Sequence, residues 1–246
     1  MAITFVGVGT AKTSSGGSTG SLVPTLPAGI QIGDLVLIFC SGRGSGYVFS
    51  SSGYTALWHL THSSSGINKI ALLYRFYQSG DGDPTVSWTG GGTNQTVVMQ
   101  ACAFRGVNQS TPFDVQGSTS SNASQQNIGP ISGITTGSNG KLVIVFGHKA
   151  DNWTSVETLS GDGLTWNEIG EPNTTSGNDA GEVWDYAISG SGSITVTAKT
   201  FTVTGGVAAY GMGVMQSLNE AVAVIVERTP SESLGSILDS PETATV

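Results

Sequence analysis

Two five-residue runs constrain this chain more than anything else in it: LVLIF at 35–39 and LVIVF at 142–146, each apolar at every position. Side chains alternate between the two faces of a strand, so a strand apolar throughout belongs inside a sheet covered on both sides. Each run has a glycine-led entry, Gly33-Asp34 and Gly140-Lys141, and the second glycine lies 107 residues after the first (140 − 33). The correspondence continues in order. SGYTALW (52–58) resembles DGLTWNE (162–168), and VVMQACAF (97–104) meets AAYGMGVM (208–215). LYRFYQSGDGDPTVSW (73–88) aligns without a gap with VWDYAISGSGSITVTA (183–198), 110 residues on (183 − 73). Repetition with loops of similar length predicts an internal duplication. One five-stranded sheet would leave an apolar face in water, whereas two packed face to face bury both.

The remaining sequence reads as more strands. Runs of Val, Ile, Thr and aromatics are separated by Gly, Ser, Asn and Asp clusters, and helix signals are nearly absent before residue 219. Strands are expected at 3–9, 34–41, 54–61, 69–78, 84–89, 95–105, 141–148, 164–170, 181–188, 193–204 and 206–217, with 13–20 and 118–127 as loops. The chain is therefore expected to be an all-β antiparallel β-sandwich over 1–218, built from two related halves (22–117 and 128–218), followed by an arm at 219–246. In the last strand no charge falls on either face, Val207 to Met215 alternating with Ala208 to Val214. One face is core; the other calls for cover from loops or a neighbouring subunit, and Gly211 and Gly213 admit a close backbone. In 193–204, Thr195, Thr197 and Lys199 share a face suited to solvent and threonine pairing.

Composition narrows the partners. Nine Lys+Arg against 17 Asp+Glu give a net charge of −8, with no basic cluster to follow a phosphate backbone, so neither nucleic acid nor membrane is an expected partner. The opening MAITFVGVGTAK lacks the pattern of an export leader, and no apolar run approaches the ~18 residues of a membrane span. Synthesis and folding in a cytoplasm are expected. Cys40 and Cys102, inside apolar runs, read as buried free thiols.

Residues with chemistry are sparse. Gly16-Gly17-Ser18-Thr19-Gly20 fits a nucleophile-elbow pattern but lacks the strand-to-helix setting. His59 and His62 stand three apart, which on a strand points the rings to opposite faces and spoils joint metal ligation; His148 ends a strand. Glu182 and Asp185, like Glu168 and Glu171, also differ by three and do not share a face as a glycosidase pair would. Asp81-Gly82-Asp83 and Asp162 suit hairpin turns better than calcium loops. No catalytic residue, metal or cofactor is expected. Trp58, Trp88, Trp166 and Trp184 fall within strands, leaving Trp153 in its loop, with Tyr47, as the aromatics available for a surface or glycan contact.

The arm has its own pattern. AVAVIV (221–226) is a strand of high β-propensity that would pair if left on an edge. Thr229-Pro230-Ser231-Glu232 reads as a capping box with proline at the first helical position, Leu234, Ile237 and Leu238 follow at helical spacing, and Ser240-Pro241 ends the turn. A helix of about ten residues is marginal alone. Val224, Val226, Leu234, Ile237 and Leu238 are the candidate partner-binding residues, docking on the chain's own body or on a neighbouring subunit.

LPAGIQIGDLVLIF, SGYTALW, ALLYRFY and AFRGVNQSTPFD, in this order, resemble a family of jelly-roll-like β-sandwich modules found in tailed-bacteriophage virion proteins and some bacterial surface proteins. The resemblance spans about residues 22–217 and rests on scaffold motifs: the Pro27–Gly29 turn, the Gly33-Asp34 entry, Tyr74-Arg75, and the exit Arg105-Gly106-Val107. The second half departs from it, with Trp184-Asp185 in place of Tyr74-Arg75. What the resemblance implies is a structural virion protein, decorating a capsid or forming part of a tail or fibre, with other virion proteins and copies of itself as partners. The rival expectation is a carbohydrate-binding or adhesin module.

Overall fold

The computed structural model describes residues 2–15, 17–44, 46–63, 68–92, 95–175, 178–189 and 192–221, and all regular structure among them is strand. The first strands are β1 (Thr4–Val8), β2 (Lys12–Ser15), β3 (Thr19–Leu22), β4 (Leu35–Arg43), β5 (Val48–Ser51), β6 (Thr55–Thr61), β7 (Asn68–Phe76), β8 (Val86–Thr89) and β9 (Thr96–Arg105). There follow β10 (Phe113–Gln116), β11 (Ser120–Gln125), β12 (Ile128–Ile131), β13 (Ile134–Thr135), β14 (Gly140–Lys149), β15 (Ser155–Val156) and β16 (Trp166–Gly170). The last are β17 (Gly181–Ile188), β18 (Thr195–Val196), β19 (Lys199–Phe201), β20 (Val203–Thr204) and β21 (Ala209–Asn219).

Two six-stranded antiparallel sheets dominate. One runs β1-β9-β4-β7-β6 with β2 also on β9; the other runs β10-β21-β14-β17-β16 with β11 also on β21. Matching β4 to β14, β7 to β17, β6 to β16 and β9 to β21 gives one strand order for both. The register departs from the ungapped sequence alignment: Phe39 pairs with Leu72 and Phe146 with Trp184, an offset of 112 between these partners (184 − 72) rather than 110. A two-residue slip keeps every side chain on its face, so the hydrophobic pattern tolerates it.

The all-apolar strands are central, as expected. Leu35, Leu37 and Phe39 of β4 face Leu142, Ile144 and Phe146 of β14 in a core between the two sheets. Phe39 lies 5.0 Å from Phe146 and 5.9 Å from Trp184 between ring centroids, and Trp58 closes the cluster edge-on. The outer face of the first sheet, with Val36, Ile38 and Cys40, is covered by the small sheet β3-β8-β5. That of the second, with Val143 and Val145, is covered by three two-stranded ribbons, β12-β19, β13-β18 and β15-β20. Four layers result, and both cysteines are buried and free.

Several expectations change. The stretches 13–20 and 118–127 contribute β2, β3 and β11, because Ser- and Thr-rich segments at a sheet margin pair through backbone groups that composition does not register. The change of sheet falls at 106–112, since Phe113 and Gln116 already pair with β21. Residues 193–204 form β18, β19 and β20, each on a different partner. Thr195 does pair with Thr135, hydroxyl to hydroxyl at 3.0 Å. Lys199, however, is buried, bonded to Asp162 at 2.5 Å and stacked on Trp166. The second face of β21 is covered within the chain: a Cβ on Gly213 would collide with Ile131 and with the Phe146 carbonyl.

The scaffold motifs converge. Arg105 donates twice to Asp34, at 2.8 Å from both Nε and Nη2, and also to the Gly29 carbonyl at 3.1 Å, tying the exit of β9 to the turn before β4. Asp34 also accepts from the Gln31 amide. Elsewhere Gly90 has a φ of +80°, and a Cβ there would strike the Gly46 carbonyl oxygen. Gly90→Ala is expected to lose about 3 kcal/mol through left-handed strain and backbone collision, read as a lower urea midpoint at unchanged slope.

Candidate functional site

The two aromatics that the sequence offers for surface contact are both interior. Tyr47 is 1% exposed, its ring stacked 5.6 Å from Phe49 and pressed against Gly42 and Gly91 in the layer over the first sheet. Trp153 is 6% exposed; its ring fills the space above Gly181, and its indole N–H donates to the Glu171 carbonyl at 3.3 Å. In each case a glycine on a neighbouring segment opens a flat slot, and burying the ring there removes more apolar area than any surface contact. Neither serves as a binding platform.

Val224, Val226, Leu234, Ile237 and Leu238, with the capping box, lie outside the described residues. The body does define where the arm starts. Glu220 bridges Val107, and the Ala221 amide donates to the Gly106 carbonyl at 2.8 Å, so the described residues end beside the Arg105-Gly106-Val107 exit of β9.

The other candidates separate as their spacing predicts. His59 Nε2 meets the Phe49 carbonyl at 3.0 Å, while His62 is buried edge-on against Tyr210. Asp185 points to the outer layer and accepts from the Leu159 amide at 2.6 Å, whereas Glu182 shares the inner face with Trp184 and faces His148 across the ladder. The two carboxylates therefore share no cleft. Glu171 is engaged by the Val156 amide at 2.5 Å. Gly17 to Gly20 lead into edge strand β3, not a helix. Asp81 caps Gln78 and pairs with Arg75 at 2.9 Å, and Asp83 accepts from the Leu26 amide at 2.7 Å, so both carboxylates hold the turn together.

Burial sets the electrostatics. It pushes Asp185 up to about 7, against the Leu159 hydrogen bond and with help from Glu168 and Glu171. It pulls His148 down to about 4 and raises the Glu182 carboxyl and both thiols well above their ordinary values. Burial works against ionised Asp162, but bonds from Lys199 and Thr197 hold it below the usual range. The surface recesses include one of about 250 Å³ beside Tyr54, Arg75 and Asp81 and one of about 290 Å³ beside Ser160, Lys199 and Thr200, both walled mainly by polar groups. Among the described residues no group of three or more His, Cys, Asp or Glu is placed to hold a metal.

Sequence reasoning missed Gln100. A lone amide in an apolar strand was the signal: its Oε1 accepts from the Trp184 indole at 3.0 Å across the two sheets, while its Nε2 donates to the Gly9 carbonyl. Compared with family models, with curated proteins and with solved structures, the chain matches none.

Proposed function

We propose that this chain is a structural protein of a tailed-bacteriophage virion, made in the host cytoplasm and decorating or stabilising the capsid or forming part of a tail or fibre. It acts by subunit contact and not by catalysis. The observation that carries the reading is a contrast. The body covers its own sheets on both faces, whereas the 25 residues that follow Ala221 (246 − 221) carry a strand-forming run and an amphipathic helical pattern. Such a segment gains by docking on another subunit, at about 25 cal/mol for each Å² of apolar surface buried. The resemblance of the scaffold motifs to virion modules supports the same reading, and the shared strand order of the sheets supports a jelly-roll-like unit used twice. The glycan-binding alternative loses its two aromatic anchors, since Tyr47 and Trp153 are core residues.

Deleting 222–246 tests the proposal. The shortened protein is expected to keep its β circular-dichroism spectrum and its melting temperature while losing incorporation into particles or self-association at sedimentation equilibrium. Unchanged incorporation, or turnover or glycan binding by the body alone, overturns it.

A further inference from the structure

By backbone register, the two main sheets correspond out to their edges. Leu35 and Leu142, at the same place in LVLIF and LVIVF, stand opposite Phe104 and Leu218, and these stand opposite Phe5 and Phe113. Phe5 and Phe113 are therefore counterparts. On the other side Phe39 and Phe146 stand opposite Leu72 and Trp184, so Tyr74 and Tyr186, two residues further along (74 − 72 and 186 − 184), are counterparts too. The irregularities agree as well: β6 and β16 each carry an extra residue, Leu57 and Ile169, at the same place in the ladder.

The contacts between the sheets repeat with the partners exchanged. Phe5 of the first sheet lies 4.9 Å from Tyr186 of the second, and Phe113 of the second lies 4.8 Å from Tyr74 of the first. Phe39 meets its own counterpart, Phe146, at 5.0 Å. β9 approaches β17, and β21 approaches β7. At the exits of β9 and β21, Val107 bridges Glu220 and the Ala221 amide donates to the Gly106 carbonyl, so the two equivalent exits pair with each other, antiparallel. Such reciprocity, with a central residue meeting its own counterpart, defines a two-fold contact. The ring tilts of the two Phe–Tyr pairs differ, 34° and 81°, so the axis relates positions and not every rotamer.

Behind this contact each half has a core of its own. The cluster around Val36, Ile38, Phe49 and Trp88 is drawn from residues before Arg105, and that around Val145, Trp153, Phe201 and Met215 from residues after Phe113. We infer that the inner face of each half is a self-association surface: the chain is two copies of one module joined through 106–112, and the inner face of the first half also fits the same face of a first half from a second molecule. A face that packs on its rotated counterpart packs on its rotated self wherever the counterparts are alike. Phe5, Tyr74 and Phe39 supply from one half what Phe113, Tyr186 and Phe146 supply from the other.

The departures from symmetry explain why a chain prefers its own second half. Gln100 stands opposite Phe39 where Val214 stands opposite Phe146, and Trp58 stands opposite Leu72 where Gly170 stands opposite Trp184. In the closed chain Gln100 Oε1 fills the space above Gly170 and accepts from the Trp184 indole at 3.0 Å. In a pair of first halves the places of Gly170 and Trp184 are taken by Trp58 and Leu72, so each Gln100 loses both its room and its donor. This disfavours the like pair and makes the mixed pair the major species. Gln100→Val removes the obstacle, because it gives the first half the residue that the second half carries at that place.

The experiment starts from the full chain carrying a protease site within 108–111, cut after folding and observed by native mass spectrometry. The two pieces are expected to remain together as the mixed pair, with pairs of first pieces as a minor species. Gln100→Val is expected to raise the ratio of like to mixed pairs about tenfold or more, since it frees the like pair and deprives Trp184 of its acceptor. Two further variants identify the face. Tyr74→Ala, which strikes a like pair twice, is expected to abolish it; Tyr186→Ala, absent from that pair, is expected to weaken the mixed pair alone. First pieces that stay single at every concentration even with Gln100→Val, or like pairs indifferent to Tyr74→Ala, overturn the proposal. Residues 222–246 belong to the second piece, so pairs of first pieces owe nothing to the arm, and this result stands or falls independently of the virion reading.

Discussion

Trp184→Ala is expected to destabilise the protein by about 3–5 kcal/mol, the range for removing a fully buried large aromatic. The ring is wholly enclosed between the sheets, 5.7 Å from Phe146 and 5.9 Å from Phe39, so truncation opens a cavity that two rigid sheets close only in part. It also strips Gln100 Oε1 of its donor, leaving an unsatisfied acceptor in the interior. Trp184→Phe separates the two terms: it keeps most of the ring contact but not the indole N–H, and is expected to cost about 1–2 kcal/mol. Both are read as shifts of the denaturant midpoint at constant slope. A loss below about 1 kcal/mol for alanine would show that the contact between the sheets does not hold the body together.

Asp185→Asn is expected to act in the opposite direction and to depend on pH. The carboxyl ordinarily titrates at 3.8 and is pushed up to about 7 in the fold. The stability linked to its proton is therefore full below 3.8 and is lost progressively until about 7. A displacement of about three units corresponds to about 4 kcal/mol at pH 8. Asparagine accepts the same bond from the Leu159 amide without carrying charge, but its amide brings a donor to a place where Asp185 Oδ1 already lacks a partner. A net gain of about 2–4 kcal/mol at pH 8 is therefore expected, shrinking towards zero near pH 4. Thermal melts at the two pH values check it, and equal effects at both would show that Asp185 is ionised throughout.

The parts of the fold legible in the sequence were those where burial dictates every residue. LVLIF and LVIVF announced central strands because a run apolar at every position gains most from a strand covered on both faces, and β4 and β14 are such strands. The covering layers were not legible. Tyr47, Trp153 and Lys199 sit in irregular or short segments, where period-two reasoning has too few residues to assign a face. Only the fold brings Gly181 under Trp153 or Asp162 beside Lys199. Local spacing correctly kept Glu182 and Asp185 apart. It did not foresee that Glu182 would stand opposite His148, because that pairing depends on the register between β14 and β17, which neither segment encodes alone.

Each main sheet is drawn from one contiguous stretch, Thr4–Arg105 or Phe113–Asn219, and the two are joined only through 106–112. Two separate polypeptides meeting through the same surface would come apart as their concentration fell. Held on one chain, each sheet meets the other at a fixed local concentration, on the order of millimolar for a short connection. The body thus stays assembled however scarce the protein is, and dilution acts only on contacts between molecules.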